Sequence, residues 1–92
     1  MIVSAEVDGI IYDAQSLKNK RAVLKRIMTR LRNEFNIAVS ELEYQDLWQR
    51  TRIGLVTIAS DKVIAEQTMQ QALAFIDSFP EFERTETHQE WL

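Results

Sequence analysis

SLKNKRAVLKRIMTRLRNEF, residues 16–35, is the segment around which the predicted architecture is built. Apolar residues recur in it every three or four positions, which predicts an amphipathic helix over 17–34. Ser16 is a suitable N-cap, because its hydroxyl can accept a hydrogen bond from a free backbone N–H of the first turn. The apolar stripe comprises Leu17, Leu24, Ile27, Met28, Leu31 and Phe35. One face of this helix therefore needs a second layer to cover it.

The segments on either side of this helix have the periodicity of strands. Strands are predicted over 2–12, 37–44, 49–59 and 82–91, with a tight turn at 44–48. A second helix over 61–78 begins at Ser60 or Asp61 and is stopped by Pro80. The order is βαββαβ, which favours an α+β ferredoxin-like plait: a four-stranded antiparallel sheet with both helices on one face. Residues 1–92 are expected to form this single domain.

Composition narrows the classes of protein that this chain can belong to. A hydrophobic fraction of 46% with 27% charged residues is typical of a folded domain. There is no cysteine, so disulfides, thiolate nucleophiles and cysteine-ligated zinc are excluded. The opening residues, MIVSAEVD, carry two acids and no basic segment, unlike a signal peptide. No apolar run approaches the ~18 residues of a membrane helix. We expect a cytoplasmic protein with no membrane partner.

The charges of the chain are strongly segregated. Seven basic residues and no acidic residue lie between Ala14 and Asn33, which leaves four basic residues against 14 acidic ones in the rest of the chain. The seven are Lys18, Lys20, Arg21, Lys25, Arg26, Arg30 and Arg32. A formal net charge of -3 thus conceals a strong local positive field, which favours an anionic partner.

Most of these cations form a ridge beside the apolar stripe of the first helix. With Lys18 at zero on a helical wheel, Arg21, Arg32 and Lys25 lie near about 300°, 320° and 340°, next to an apolar stripe at about 180–280°. The predicted nucleic-acid contacts are Lys18, Arg21, Lys25 and Arg32, with Arg26 and Arg30 as auxiliary contacts. The alternatives are that the ridge pairs with acids elsewhere in the fold, that it is merely a solvated face, or that it is a surface for a protein partner.

The other face of the sheet is predicted to be acidic. Glu6 and Asp8 point away from the apolar side of the first strand, and Glu41 and Glu43 are expected beside them, with Arg52 in their midst. RNA-recognition modules stack bases on aromatic residues at this position, whereas carboxylates repel the RNA backbone. RNA is therefore expected on the helix side. Cross-strand charge pairing is the simpler interpretation of these acids, and a dimer surface is another.

Three aromatic or basic residues outside the helix are candidate interface residues: Trp48, Arg50 and Trp91. Tryptophan and arginine are frequent in binding hot spots. The alternative for the turn is structural, with Asp46 capping it, Trp48 covering the end of the core and Arg50 pairing with Asp46. His88, the only histidine, is expected to be an exposed strand residue.

Three stretches resemble the YlxP-like family of small bacterial proteins: Ser16-Leu17-Lys18-Asn19-Lys20-Arg21, Arg32-Asn33-Glu34-Phe35-Asn36 and Tyr44-Gln45-Asp46-Leu47-Trp48-Gln49-Arg50. The resemblance extends over nearly the whole chain and implies the same ferredoxin-like fold. Genes of the family often lie among those for translation and ribosome-maturation factors, which implies a role near the ribosome. The resemblance brings no catalytic residues with it.

No pattern in the chain predicts catalysis. There is no glycine-rich phosphate loop, no metal-ligand spacing and no Ser/His/Asp arrangement, so we expect no catalytic residue, no metal and no cofactor. The sequence instead favours a non-enzymatic binding protein that contacts RNA or a ribosomal particle through its basic first helix. The alternative is a dimeric protein-interaction or regulatory module, a homodimer that pairs through its sheet face or edge strands.

Overall fold

The computed structural model describes residues 1–92 and contains the six predicted elements in the predicted order. The strands are β1 (Ile2–Ile10), β2 (Ala38–Glu43), β3 (Arg50–Ile58) and β4 (Glu83–Trp91), and the helices are α1 (Leu17–Glu34) and α2 (Lys62–Asp77). The Ser16 hydroxyl accepts from the Asn19 N–H at 3.0 Å, as expected of the N-cap. Asp61, rather than Ser60, caps α2 by accepting from the N–H groups of Val63 and Ile64.

The strands form one antiparallel sheet in the order β2-β3-β1-β4, which confirms the ferredoxin-like plait. β1 and β3 lie in the centre, while β2 and the polar strand β4 form the two edges. At the β4 edge, Arg84 makes two hydrogen bonds to the carboxylate of Asp77, 2.9 and 2.8 Å long. This ion pair joins the edge strand to the end of α2.

The core lies between the sheet and the two helices and contains 19 buried apolar residues. On β1, Val3, Ala5 and Val7 are at most 1% exposed, as their alternation with polar residues predicts. The opposite face of the sheet has no covering layer. β3 carries apolar residues on both of its faces, and Ile58 is 58% exposed on this uncovered side. The uncovered side is called the open face below.

Candidate nucleic-acid interface

The cations on the two flanks of α1 differ in whether they have intramolecular partners. On the flank that faces α2, both arginines have such partners. Arg26 forms an ion pair with Glu81. The guanidinium carbon of Arg30 lies 5.1 Å from the ring centre of Phe75 and 5.2 Å from that of Phe79, which is cation–π geometry. Arg26 and Arg30, predicted as auxiliary contacts, therefore have partners in and beyond α2.

The other flank of α1 runs along the edge strand β2 and carries cations without intramolecular partners. Arg32 Nη2 donates to the Val39 carbonyl of β2 at 3.0 Å, which fixes the side of the helix that faces this edge. Lys18, Arg21 and Lys25 are exposed and form neither an ion pair nor a side-chain hydrogen bond. These three residues are called the basic ridge below. The structure thus separates them from the other predicted contacts.

The basic ridge begins at the N-terminal end of α1, where positive charge is least favourable. The free N–H groups of a helix N-terminus act as a partial positive charge that acidic residues normally balance. α1 has no acidic residue in its first turn. Lys18 and Arg21 therefore add to the positive end of the helix dipole instead of opposing it. This arrangement does not stabilise the helix.

Lys20 belongs to the same basic segment but lies in the core. Its side chain is 0% exposed, and Nζ donates to the Tyr44 carbonyl at 2.6 Å and lies 3.1 Å from Glu41 Oε2. The same carboxylate oxygen accepts from the Thr51 hydroxyl at 2.6 Å. Sequence reasoning missed this cluster, although one signal was available. On the helical wheel Lys20 falls at about 200°, inside the apolar stripe.

The prediction that Glu41 lies on the open face is therefore wrong. Glu41 lies on the same side of β2 as the buried Val39 and faces α1, where the Lys20 ammonium and the Thr51 hydroxyl compensate its charge. Leu42 occupies the open face instead, directly over Gly54 of the neighbouring strand. The physical reason is that a carboxylate can leave water when a buried cation and a hydroxyl replace its solvation.

The turn between β2 and β3 is held by several independent contacts around Tyr44. Tyr44 has φ 67°, the left-handed region that is unfavourable for a bulky residue. Its carbonyl accepts from the Leu47 N–H at 3.0 Å as well as from Lys20. The guanidinium carbons of Arg50 and Arg52 lie 4.3 and 5.5 Å from the centre of its ring. These contacts compensate the strained backbone and fix the turn.

The structural alternative for this turn is wrong in three details, the first of which is that the Asp46 side chain accepts no hydrogen bond and so does not cap the turn. Arg50 stacks on Tyr44 and forms no ion pair with Asp46, because its guanidinium is held over the aromatic ring. Trp48 does not cover the core: its side chain is 54% exposed and does not pack against the core cluster. The turn is instead anchored by its backbone, with the Ile11 N–H donating to the Gln49 carbonyl at 2.8 Å.

The three candidate interface residues are not brought together. Arg50 pairs with Ile10 at the end of β1 near the turn, so Arg50 and Trp48 lie at this end of the sheet. Trp91 pairs with Val3 near the start of β1, at the opposite end, and Lys62 Nζ lies 5.1 Å from the centre of its ring. The turn that contains Trp48 lies near the start of α1, where Lys20 bonds to Tyr44, whereas Trp91 lies at the other end of the sheet.

The open face contains the acids Glu6 and Asp8, as predicted, and Asp8 forms an ion pair with Arg52. Arg52 Nε donates to Asp8 Oδ1 at 2.6 Å and Nη2 to Oδ2 at 3.2 Å. Glu6 faces His88 of β4, and Asp8 faces Glu86. These side chains line a shallow cavity with Arg52. Leu42, Val56 and Ile58 make the β2–β3 half of the same face apolar.

The Asp8–Arg52 pair should make part of the stability depend on pH. Hydrogen bonds from Arg52 hold the pKa of Asp8 below its ordinary value, against the opposing effect of burial. A lowered pKa in the folded state stabilises the protein above the ordinary aspartate pKa, and this stabilisation is lost as the pH falls through the folded value. In urea titrations, Asp8→Asn should therefore lose less unfolding free energy than the wild type between about pH 5 and about pH 2. Equal acid sensitivity of Asp8→Asn and the wild type would contradict this assignment.

The fold and this charge distribution define a small ferredoxin-like α+β protein with a positively charged helix flank and a partly acidic sheet. The chain belongs to the family described as "Protein of unknown function (DUF503)", whose profile matches residues 2–89. It is 59% identical over 91 residues to "Uncharacterized protein YlxP" of Bacillus subtilis (strain 168), and the alignment covers 99% of both chains. The resemblance to the YlxP-like family is thereby confirmed.

Two solved structures share the fold at low sequence identity. The first is "De novo designed protein Foldit4", with a TM-score of 0.60 and 17% identity, over 100% of this chain and 99% of that chain. The second is a C-terminal segment of the alpha subunit of aIF2 from Pyrococcus abyssi, with a TM-score of 0.55 and 18% identity, over 92% of this chain and 48% of that chain. At these identities the likeness concerns the fold alone. Neither helix combines the length and apolar character required to cross a membrane.

Proposed function

We propose that this protein is a non-enzymatic RNA-binding protein of the cytoplasm that contacts the phosphate backbone of a ribosomal particle through its basic ridge. The observation that carries the proposal is the state of Lys18, Arg21 and Lys25. All three are exposed, none has an intramolecular partner, and they follow one another along one flank of α1. Phosphate oxygens are the natural complement of such a row, since each contact releases a condensed counterion.

The dimensions of the basic ridge are suited to one nucleic-acid strand. Lys18 and Lys25 are separated by about 10 Å along the helix axis, so neighbouring phosphates of one strand can be contacted together. Free N–H groups at the start of α1 add to the attraction for anions. Because phosphate contacts carry no base information, we expect low sequence specificity from the basic ridge itself.

The open face is the less suitable surface for RNA. Glu6, Glu86 and Glu90 lie on its β1–β4 half, where their carboxylates would repel a phosphate backbone. The β2–β3 half is apolar, and the Tyr44 ring at its end is already stacked against the guanidinium groups of Arg50 and Arg52. The two sides of the molecule thus have opposite electrostatic preferences, and this supports binding on the α1 side.

The proposal is tested by pelleting the protein with purified ribosomal subunits over a series of salt concentrations. Three phosphate contacts to single-stranded RNA should give a log–log slope of about -2, from about -0.7 for each contact. Binding that is absent at low salt, or that does not weaken as salt rises, would contradict the proposal. A slope much steeper than this would indicate that more cations than the basic ridge take part.

A second candidate function, a homodimeric interaction module, is favoured by one observation on the open face. Leu42 and Ile58 are 42% and 58% exposed on the β2–β3 half, beside the edge strand β2. An apolar surface next to an unpaired edge is a suitable contact for a second copy. Light scattering distinguishes the candidates: a stable dimer that Leu42→Asp converts to a monomer would favour this module, and a monomer at all concentrations would exclude it.

A further inference from the structure

We infer that the turn at 44–49 is a platform on which an unpaired base of single-stranded RNA stacks, with Trp48 as the stacking side chain. This inference rests on the proposed function and adds the class of RNA that the site would take. Trp48 is 54% exposed and forms none of the side-chain hydrogen bonds or aromatic contacts that fix the rest of the turn. A large apolar ring is thus presented to solvent on a segment whose backbone is firmly held.

The first argument is that this turn is rigid. The Tyr44 carbonyl accepts both from the buried Lys20 ammonium and from the Leu47 N–H, which uses its two lone pairs. Gln49 Nε2 donates to the Tyr12 carbonyl at 2.7 Å, and the Gln49 carbonyl accepts from the Ile11 N–H. Strained backbone that is held by so many contacts is characteristic of binding sites, because a fixed platform loses little conformational entropy when a ligand binds.

The second argument is the position of the turn relative to the basic ridge. Lys20 bonds to the turn, Lys18 lies in the same first turn of α1, and Arg21 follows Lys20 directly. The turn therefore lies at the N-terminal end of the basic ridge, where α1 meets the end of β2. A strand whose phosphates follow the basic ridge reaches the turn with its next base. Arg50, stacked on Tyr44, adds a further cation at this point.

The third argument concerns which part of a nucleotide the turn can contact. Its only charged residue is Asp46, whose carboxylate repels a phosphate but not a neutral base. The indole of Trp48 attracts a base rather than a phosphate, since every base has a face that stacks on an aromatic ring. The basic ridge would thus bind the backbone while the turn binds a base. A base is free to stack in this way only where the RNA is single-stranded.

Tryptophan fluorescence tests the inference directly, because the chain has only two tryptophans and they lie at opposite ends of the sheet. In Trp91→Phe, Trp48 is the only tryptophan and reports on its own surroundings. Titration of this variant with a short oligouridylate at low salt should quench the emission to saturation. An RNA duplex of the same length should bind the basic ridge with little quenching, since its bases are already stacked.

Affinity measurements separate stacking from general apolar contact. Trp48→Ala should weaken oligouridylate binding by about fivefold to about a hundredfold, the range for loss of one base–aromatic stack. Trp48→Phe should retain most of the affinity, because phenylalanine still offers an aromatic face. Leu47→Ala is the matched control in the same turn and should leave affinity unchanged. Circular dichroism before titration establishes that each variant is folded.

The outcomes distinguish failure of the platform from failure of the proposed function. Oligouridylate binding without quenching, and with Trp48→Ala equal to the wild type, would overturn the platform and leave the basic ridge in place. No binding of single strand or duplex would overturn both. If Trp48→Ala abolishes pelleting with ribosomal subunits while no RNA quenches Trp48, the turn contacts a protein, and the platform is likewise overturned.

Discussion

Simultaneous replacement of Lys18, Arg21 and Lys25 by glutamine is expected to lower the affinity for ribosomal subunits about a hundredfold near 0.1 M salt. The size follows from counterion release, which contributes about 0.7 log units for each single-strand phosphate contact at roughly that salt concentration. The log–log slope should become shallower by about 2 for the same reason. All three side chains are exposed and unpaired, so the variant should keep its fold. Co-sedimentation of wild type and variant across the same salt series measures both effects.

A matched control distinguishes the basic ridge from net charge alone. The control variant combines three substitutions at exposed positions of α2: Gln67→Glu, Gln70→Glu and Gln71→Glu. It changes the formal charge from -3 to -6, the same change that the triple replacement on α1 produces. The control should lose little affinity, because no phosphate contact is removed. Equal losses in the two variants would show that only the overall charge matters and would contradict a binding site on α1.

Replacement of Lys20 by methionine is expected to lower the free energy of unfolding by about 3 kcal/mol, the range for removing one partner of a buried ion pair. Methionine fills much of the same space but leaves Glu41 without its cation and the Tyr44 carbonyl with only the Leu47 bond. The effect falls near the lower end of that range because the Glu41 side chain is 16% exposed and keeps some solvation. Urea unfolding followed by circular dichroism measures the loss.

Two further variants show whether the loss comes from the buried cluster. Lys18→Met changes an exposed lysine of the same helix turn and should alter stability by no more than about 0.5 kcal/mol. The double variant Lys20→Met with Glu41→Leu removes both charges and should be more stable than Lys20→Met alone, because no uncompensated carboxylate remains. A Lys20→Met protein as stable as Lys18→Met would refute the buried ion pair.

The fold followed from local patterns because its elements are separated by clear signals. The strict alternation of Val3, Ala5 and Val7 and the cap at Ser16 each depend on a few neighbouring residues. The order of these elements and the need to cover two apolar helix faces then leave few topologies. Element boundaries differ by at most two residues from those predicted, the largest difference being at the end of β1.

The arrangement of the candidate site depends on contacts between distant residues, which local patterns do not contain. Lys20 and Tyr44 are 24 positions apart, and only the fold brings that ammonium to that carbonyl. Glu41 faces inward, against the expectation for an acid, because the Lys20 ammonium and the Thr51 hydroxyl compensate its charge. Arg26 and Arg30 were predicted as auxiliary contacts, but their intramolecular partners, one residue of α2 and two beyond its end, lie far along the chain and were not foreseen. The sequence was sufficient to locate the positively charged helix, but it did not show which of its cations have intramolecular partners and which have none.

Binding of RNA along α1 is tested most directly by following backbone amide chemical shifts of the isotope-labelled protein during titration with a short oligouridylate. The expected result is a saturable set of changes confined to the first half of α1 around Lys18, Arg21 and Lys25, and to the adjoining turn at 44–49. Changes confined to the open face around Glu6 and Ile58, or no change at low salt, would contradict it.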